Sequence, residues 1–256
     1  MVSKTMQPSS FAPTEVAKQV QAALLPRICR RCSGAHVVAR HQMSQAVGGD
    51  LYDFVAAEKG RYSLVIGDVT GHEVFSALVM SLIFGAIHTA GPKAVSPLDV
   101  IALVNDLLCD LNEEMRFHVM IASLFVGTVD PRRKTMVYAN AGHPPPLVRR
   151  RNGRISELGA TCPVLGVARQ LDGSKARADL KDVHRLLLYT DGISEARSAG
   201  GSFLGAEGII DILSSSGNLS VEATLDRLFE RAMAVGGGRQ SDDMTAVLAG
   251  FAPTEA

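Results

Sequence analysis

The sequence has no surplus of charge of either sign: Lys plus Arg and Asp plus Glu number 26 each. That balance gives no electrostatic case for nucleic acid or for an anionic membrane surface. A secretory leader is also missing, because Met1 to Gln21 holds no continuous apolar stretch. The longest uncharged run, Val74 to Pro92, is a little short of the ~20 apolar residues a bilayer requires. Ser76, Ser81, His88 and Thr89 interrupt it, so it reads as a buried core helix. These absences predict a cytoplasmic protein. The dinucleotide fingerprint and the phosphate-cradling P-loop are both missing, as are internal repeats and low-complexity tracts.

Cysteine is scarce too, at four residues. Cys29-Arg-Arg-Cys32, followed by His36 and His41, has the outline of a zinc knuckle. Yet His36-Val-Val-Ala-Arg-His41 reads as a strand, on which the two histidines point to opposite faces. A shared tetrahedral site is then awkward, and the expectation is reduced thiols in a loop. Cys109 and Cys162 are single and distant.

With 256 residues, 46 % of them apolar, the chain can bury a sizeable core as one large domain or two small ones. Thr14 can cap a short helix through Leu25, with Val16, Val20 and Leu24 on one narrow stripe and Pro26 as its stop. Strands are expected at His36 to Met43, Leu51 to Ala57 and Tyr62 to Val69. Ser96-Pro97 opens a second long helix bearing Leu98, Ile101, Val104, Leu108 and Leu111 at helical spacing. Strands from His118 to Val129 and Thr135 to Asn140 follow. A hairpin turns at Asn152-Gly153, with Arg149-Arg150-Arg151 at its solvated tip, before a strand at Arg185 to Tyr189. Two helices fill Leu204 to Val235, the second capped by Ser220, and Met244 to Phe251 is the last strand. Hairpin-length links between strands, interrupted by paired helices, predict α+β with antiparallel sheets.

Against this background stand five aspartates in four Gly-punctuated segments: Asp50 in Gly48-Gly49-Asp50, Asp68 in Gly67-Asp68-Val69-Thr70-Gly71, Asp191 in Thr190-Asp191-Gly192, and Asp242-Asp243 after Ser241. Leu64-Val65-Ile66-Gly67-Asp68 and Leu186-Leu187-Leu188-Tyr189-Thr190-Asp191 each deliver a carboxylate at the end of a buried strand. Adjacent glycines let backbone approach a ligand closely. Any one of these could be a turn residue or helix cap. Several together, if they converge, repel one another unless a cation sits between them, and hard oxygen donors suit Mg²⁺ or Mn²⁺ rather than zinc.

Five ordered motifs carry a family resemblance: Val47-Gly-Gly-Asp-Leu-Tyr-Asp53, Gly67-Asp-Val-Thr-Gly-His72, Asn140-Ala-Gly-His-Pro-Pro145, Leu187-Leu-Tyr-Thr-Asp-Gly-Ile-Ser-Glu-Ala196 and Asp242-Asp-Met-Thr245. From about Gln21 to Phe251 the chain resembles the PPM-type metal-dependent Ser/Thr protein phosphatases, in the bacterial branch of sporulation and stress-response sigma-factor regulators. The resemblance implies a four-layer αββα sandwich, two antiparallel sheets with helices outside. It divides the chain into an N-terminal tail and short amphipathic helix (residues 1–27) and a phosphatase domain (28–253). It implies two Mn²⁺ or Mg²⁺ ions per site. Asp68 would bridge them, the Val69 carbonyl would bind one, and Asp191 and Asp242 would complete that ion's ligands. Asp50 would serve the second ion directly or through water. Asp243 would support a neighbouring ligand, and Asp53 would hold the adjacent turn.

The implied reaction is attack of a metal-activated water on phospho-Ser or phospho-Thr, with a STAS-type anti-sigma-factor antagonist as the protein substrate. His72 and His143 are candidate proton donors to the leaving oxygen, or loop braces. Glu73 departs from the family, which usually has glycine there. Two alternatives stay open: a non-catalytic partner-binding module of the same fold, and a phosphatase for small phosphorylated metabolites. The N-terminal helix is expected to pack on the body, to pair with a second copy, or to take a signal from a separate regulatory protein.

Overall fold

A computed structural model of the chain describes residues 13–26, 28, 32–71, 73–90, 96–115 and 119–252. Helix α1 (Pro13–Leu24) comes first, then β1 (Ala35–Gln42), β2 (Leu51–Ala56) and β3 (Tyr62–Val69). Two long helices, α2 (Glu73–Ala90) and α3 (Pro97–Glu114), precede β4 (Ala122–Asp130), β5 (Thr135–Ala141), β6 (Leu147–Arg150), β7 (Ile155–Glu157), β8 (Ala176–Asp179) and β9 (Val183–Tyr189). A single turn α4 (Asp191–Ser194), then α5 (Gly205–Ser215), α6 (Val221–Val235) and β10 (Met244–Phe251) complete the chain. The strands form two antiparallel five-stranded sheets, ordered β1-β10-β9-β6-β7 and β2-β3-β4-β5-β8.

Alternation decides which side chains face where. On β3, Ser63 and Val65 border a small cavity against Ile87 of α2 and Val100 of α3. Tyr62, Leu64, Ile66 and Asp68 therefore face the opposite sheet. On the other sheet Leu187, Tyr189, Met244, Ala246 and Leu248 pack with Leu225, Leu228 and Phe229 of α6. Their neighbours Leu186, Leu188, Val247 and Ala249 belong to the main core. The result is the expected sandwich, helices outside and sheets face to face.

Capping agrees with the sequence in two places. The Ser96 amide donates to Asp99 Oδ2 at 2.8 Å, and Ser220 Oγ accepts from the Ala223 amide at 3.1 Å. Elsewhere the structure differs. Helix α1 already contains Pro13, so Thr14 lies inside it rather than capping it. Its buried residue is Gln21, while Val16 and Val20 are 48 % and 55 % exposed. Gln21 is drawn in by a two-way amide pairing: Nε2 donates to the Gly48 carbonyl at 2.8 Å and Oε1 accepts the Gly48 amide at 3.1 Å. Strand β4 begins at Ala122 instead of near His118, which lies outside the described residues. Strand β8 and turn α4 were not foreseen.

The two histidines of the zinc reading do diverge: His36 pairs with Glu222 at 2.6 Å, whereas His41 bonds Thr245 at 2.8 Å. Cys32 is disulfide-bonded, not the reduced thiol expected, and Cys29 lies outside the described residues. Cys109 and Cys162 are free. Asp53 does not hold a turn. It accepts the Phe54 amide at 2.7 Å and meets His88 of α2 at 3.0 Å, tying β2 to that helix. Among the described residues, no helix is long and apolar enough to cross a membrane.

Candidate metal centre

All five aspartates gather at one mouth of the sandwich. Antiparallel pairing explains this: β3 ends at Val69, β9 ends just before Asp191, and β10 starts just after Asp243, so three strand ends coincide. The Gly48-Gly49-Asp50 segment enters β2 beside them. Asp68 interacts electrostatically with Asp191, Asp242 and Asp243, and Asp50 with Asp68 and Asp243.

Each carboxyl answers to a stated cause. Burial, reinforced by the charges of Asp191, Asp242 and Asp243, pushes Asp68 up to about 7, against a bond from the Val69 backbone. Asp50 is raised well above its ordinary value, first by burial and then by the charge of Asp68, while hydroxyl bonds from Thr245 and Thr190 oppose the rise. Asp191 is raised by burial and by Glu195, and Asp242 by burial and by Asp191 and Asp243. So many raised carboxyls gathered in one place mark a candidate functional site.

Asp50 is held from behind. Thr190 and Thr245 both donate to its Oδ2, at 2.9 and 2.5 Å. Asp243 is anchored differently, its Oδ1 accepting the Ser44 amide at 2.7 Å and the Ser44 hydroxyl at 3.1 Å. The paired glycines serve close approach. A β-carbon at Gly48 would overlap Oδ2 of Asp243, and one at Gly49 would stand 2.5 Å from the Val69 carbonyl and 3.1 Å from Asp68 Oδ1. Gly48→Ala is therefore expected to displace Asp243 or the loop, lowering stability by about 1–3 kcal/mol. Denaturant unfolding checks this; an unchanged midpoint would contradict it.

The candidate donors are oxygen throughout: Asp50, Asp68, Asp191, Asp242 and the Val69 carbonyl, a chemistry that suits a hard divalent cation. Among the described residues, no group of three or more His, Cys, Asp or Glu side chains is close enough as it stands to hold a metal ion.

His143 is a brace. It is fully buried, burial pushes its imidazole down to about 3, and its Nδ1 bonds Ser123 Oγ at 2.8 Å. Its amide donates to Asn140 Oδ1 at 2.9 Å, and Asn140 returns a bond to the His143 carbonyl at 3.1 Å. His72 lies outside the described residues. Glu73 opens α2 as its first residue. Sequence reasoning missed Thr190, Thr245 and Gln21 as residues that shape the site, although both threonines stood inside quoted motifs.

Residues 58–252 match the family described as stage II sporulation protein E (SpoIIE). The chain is 31 % identical over 157 residues to phosphoserine phosphatase RsbP of Bacillus subtilis (strain 168), covering 60 % of this chain and 38 % of RsbP. It thus spans well under half of that relative's length. Among solved structures it is similar to the SiaA-PP2C domain of Pseudomonas aeruginosa, with a TM-score of 0.78 at 20 % identity over 93 % of this chain and 96 % of that one. It is also similar to RsbX in complex with magnesium, with a TM-score of 0.65 at 14 % identity over 86 % and 96 %. At these identities the structural likeness concerns the fold, which is the PP2C sandwich. The family match spans more than half of the sequence, and the chain belongs to the SpoIIE family of PPM-type phosphatase domains.

Proposed function

We propose that the chain is a metal-dependent protein phosphatase that hydrolyses phospho-Ser or phospho-Thr on a partner protein. The observation that carries this reading is the convergence of carboxylates from four remote segments on one open mouth, each raising its neighbours' proton affinity. Asp68, Asp191, Asp242 and the Val69 carbonyl are the proposed ligands of one divalent ion. Asp68 and Asp50 serve a second. Asp243 supports Asp242, its amide donating to Asp242 Oδ1 at 2.8 Å. Bound Mn²⁺ or Mg²⁺ would supply a water acidic enough to attack phosphorus near neutral pH, and would offset charge on the phosphoryl oxygens.

The chain's own residues set the rest. The carboxylates of Asp50, Asp68, Asp191 and Asp242 would by themselves repel a phosphate dianion, and bound cations would offset that charge. Thr190 and Thr245 fix the Asp50 carboxylate, and Ser44 fixes Asp243. Buried His143, bonded to Ser123 through Nδ1 and to Asn140 through its amide, holds its loop. The rim is open: Thr70, Gly71 and Asp242 are exposed. Val119 and Val164, on segments joined to the β3 end through Ile121 and Leu165, are 65 % and 38 % exposed. An exposed apolar rim suits a folded phosphoprotein better than a small metabolite, which a closed pocket would enclose.

Two relatives are phosphoserine phosphatases, RsbP and RsbU of Bacillus subtilis, and the resemblance of the five motifs supports a sigma-regulatory pathway; a STAS-type antagonist phosphorylated on serine is the substrate we infer. We take the cytoplasm as its compartment and residues 28–253 as the catalytic domain. Measuring phosphate release from p-nitrophenyl phosphate and from such a phosphoprotein, each with Mn²⁺, tests the reading. Activity on the phosphoprotein that EDTA abolishes is expected. Stable folding without metal-dependent release from either substrate would point to the binding module.

A further inference from the structure

The hydroxyl pair on Asp50 has a third member. Thr245 lies directly across from His41 of β1 in the strand register, and His41 Nδ1 stands 2.8 Å from Thr245 Oγ1. A threonine hydroxyl has one proton to give. When Asp50 serves a cation it is a carboxylate, which only accepts, so that proton goes to Oδ2, 2.5 Å away. His41 must then be the donor, carrying its hydrogen on Nδ1. Thr190 is oriented in a parallel way: its Oγ1 accepts the Thr245 amide at 3.0 Å while donating to Asp50. Each hydroxyl is aimed at Asp50 by a donor behind it, a backbone amide in one case and an imidazole in the other.

A neutral ring agrees with this order, since burial pushes His41 down, against the charge of Asp243. Its Nε2 is then a bare acceptor, buried and without a hydrogen-bond partner among the described residues. The ring also lines a groove of about 520 Å³, shared with Lys18 and Ala22 of α1, Leu25 and Tyr52.

We propose that His41 is a positioning residue for the metal centre: by donating from Nδ1 it fixes the Thr245 hydroxyl that aims the Asp50 carboxylate. The inference rests on the reading of Asp50 as a metal-serving group. Its test is calorimetric Mn²⁺ titration of the full chain and its variants, with thermal unfolding alongside. His41→Leu removes the donor and is expected to weaken Mn²⁺ binding on the order of tenfold or more, as for other groups that orient a ligand. His41→Asn keeps an N–H near the Nδ1 position and should recover most of that affinity. His41→Gln places its N–H farther out and should not. If His41→Leu fails to fold, the contrast between Asn and Gln carries the test.

A merely structural role would lower the unfolding temperature and leave Mn²⁺ affinity alone. Affinity within about twofold of wild type in His41→Leu, or equal losses in Asn and Gln, would overturn the proposal. Asp50→Asn separates the two levels. Unchanged affinity there sinks the reading of Asp50 itself, whereas loss there with none in His41→Leu sinks only the role of His41.

Discussion

Asp68→Asn should cost activity on the order of 10³-fold while making the metal-free protein more stable. Two opposite signs follow from one cause. Burial and three neighbouring carboxylates hold Asp68 up to about 7, so its charge is a liability in the absence of a cation. Asparagine keeps the shape and removes the charge, relieving that repulsion. The same change removes the proposed bridging ligand. Several kcal/mol of transition-state stabilisation attributed to metal ions corresponds to about three powers of ten in rate. Asp191→Asn should follow the pattern with a smaller gain in stability, because it is raised by burial and Glu195 rather than by three partners. Phosphate release and unfolding in EDTA, measured on the same preparations, check both signs. Lower stability together with full activity would refute the assignment.

Without the divalent ion, the contribution of the clustered aspartates to stability should fall as pH rises, the reverse of salt-bridged carboxylates. A carboxyl at about 7 in the folded state, with an ordinary value of 3.8, keeps a proton that the unfolded chain has already lost. Between about pH 4 and pH 7 this carboxyl binds more proton in the folded state, so its contribution falls as the pH rises, while buried His143, pushed down to about 3, and His184, pushed down to about 4, act in the opposite sense. The raised carboxyls of Asp50, Asp191 and Asp242 act in the same direction as Asp68. Added Mn²⁺ competes with those protons, and its stabilising effect should grow through the same window. At a hundredfold excess over its dissociation constant an ion contributes about 2.7 kcal/mol, or roughly 5–10 °C for a chain of this size. Melting wild type and Asp68→Asn in EDTA at pH 5 and pH 8 measures the aspartate contribution, because the histidine contributions cancel between the two proteins. An advantage of Asp68→Asn that shrinks towards pH 8 would contradict the account.

Much of this was legible because strands with uninterrupted apolar runs announce themselves. Tyr62 to Val69 and Met244 to Phe251 have the expected bounds, and the aspartates at their ends reach a common mouth. Strand β8, Ala-Arg-Ala-Asp, alternates over only four residues and with nothing larger than alanine on its inner face, too weak a pattern to read before its pairing with β5 is seen. The α1 stripe misled because Val16 and Val20 look like a core face, whereas the amide of Gln21 finds a backbone partner 27 residues away. His41 was read with the cysteines, since nothing local connects it to Thr245, 204 residues later. Periodicity reports burial. It is silent on which polar group will meet which across the sandwich.

The most direct test is a crystal of the full chain grown with Mn²⁺ and measured for anomalous scattering. The account predicts two peaks at the strand-end mouth, one contacted by Asp68, Asp191, Asp242 and the Val69 carbonyl, the other contacted by Asp68 and reached by Asp50 directly or through water. An ordered mouth without a peak, or Mn²⁺ held elsewhere by groups other than these, would contradict it.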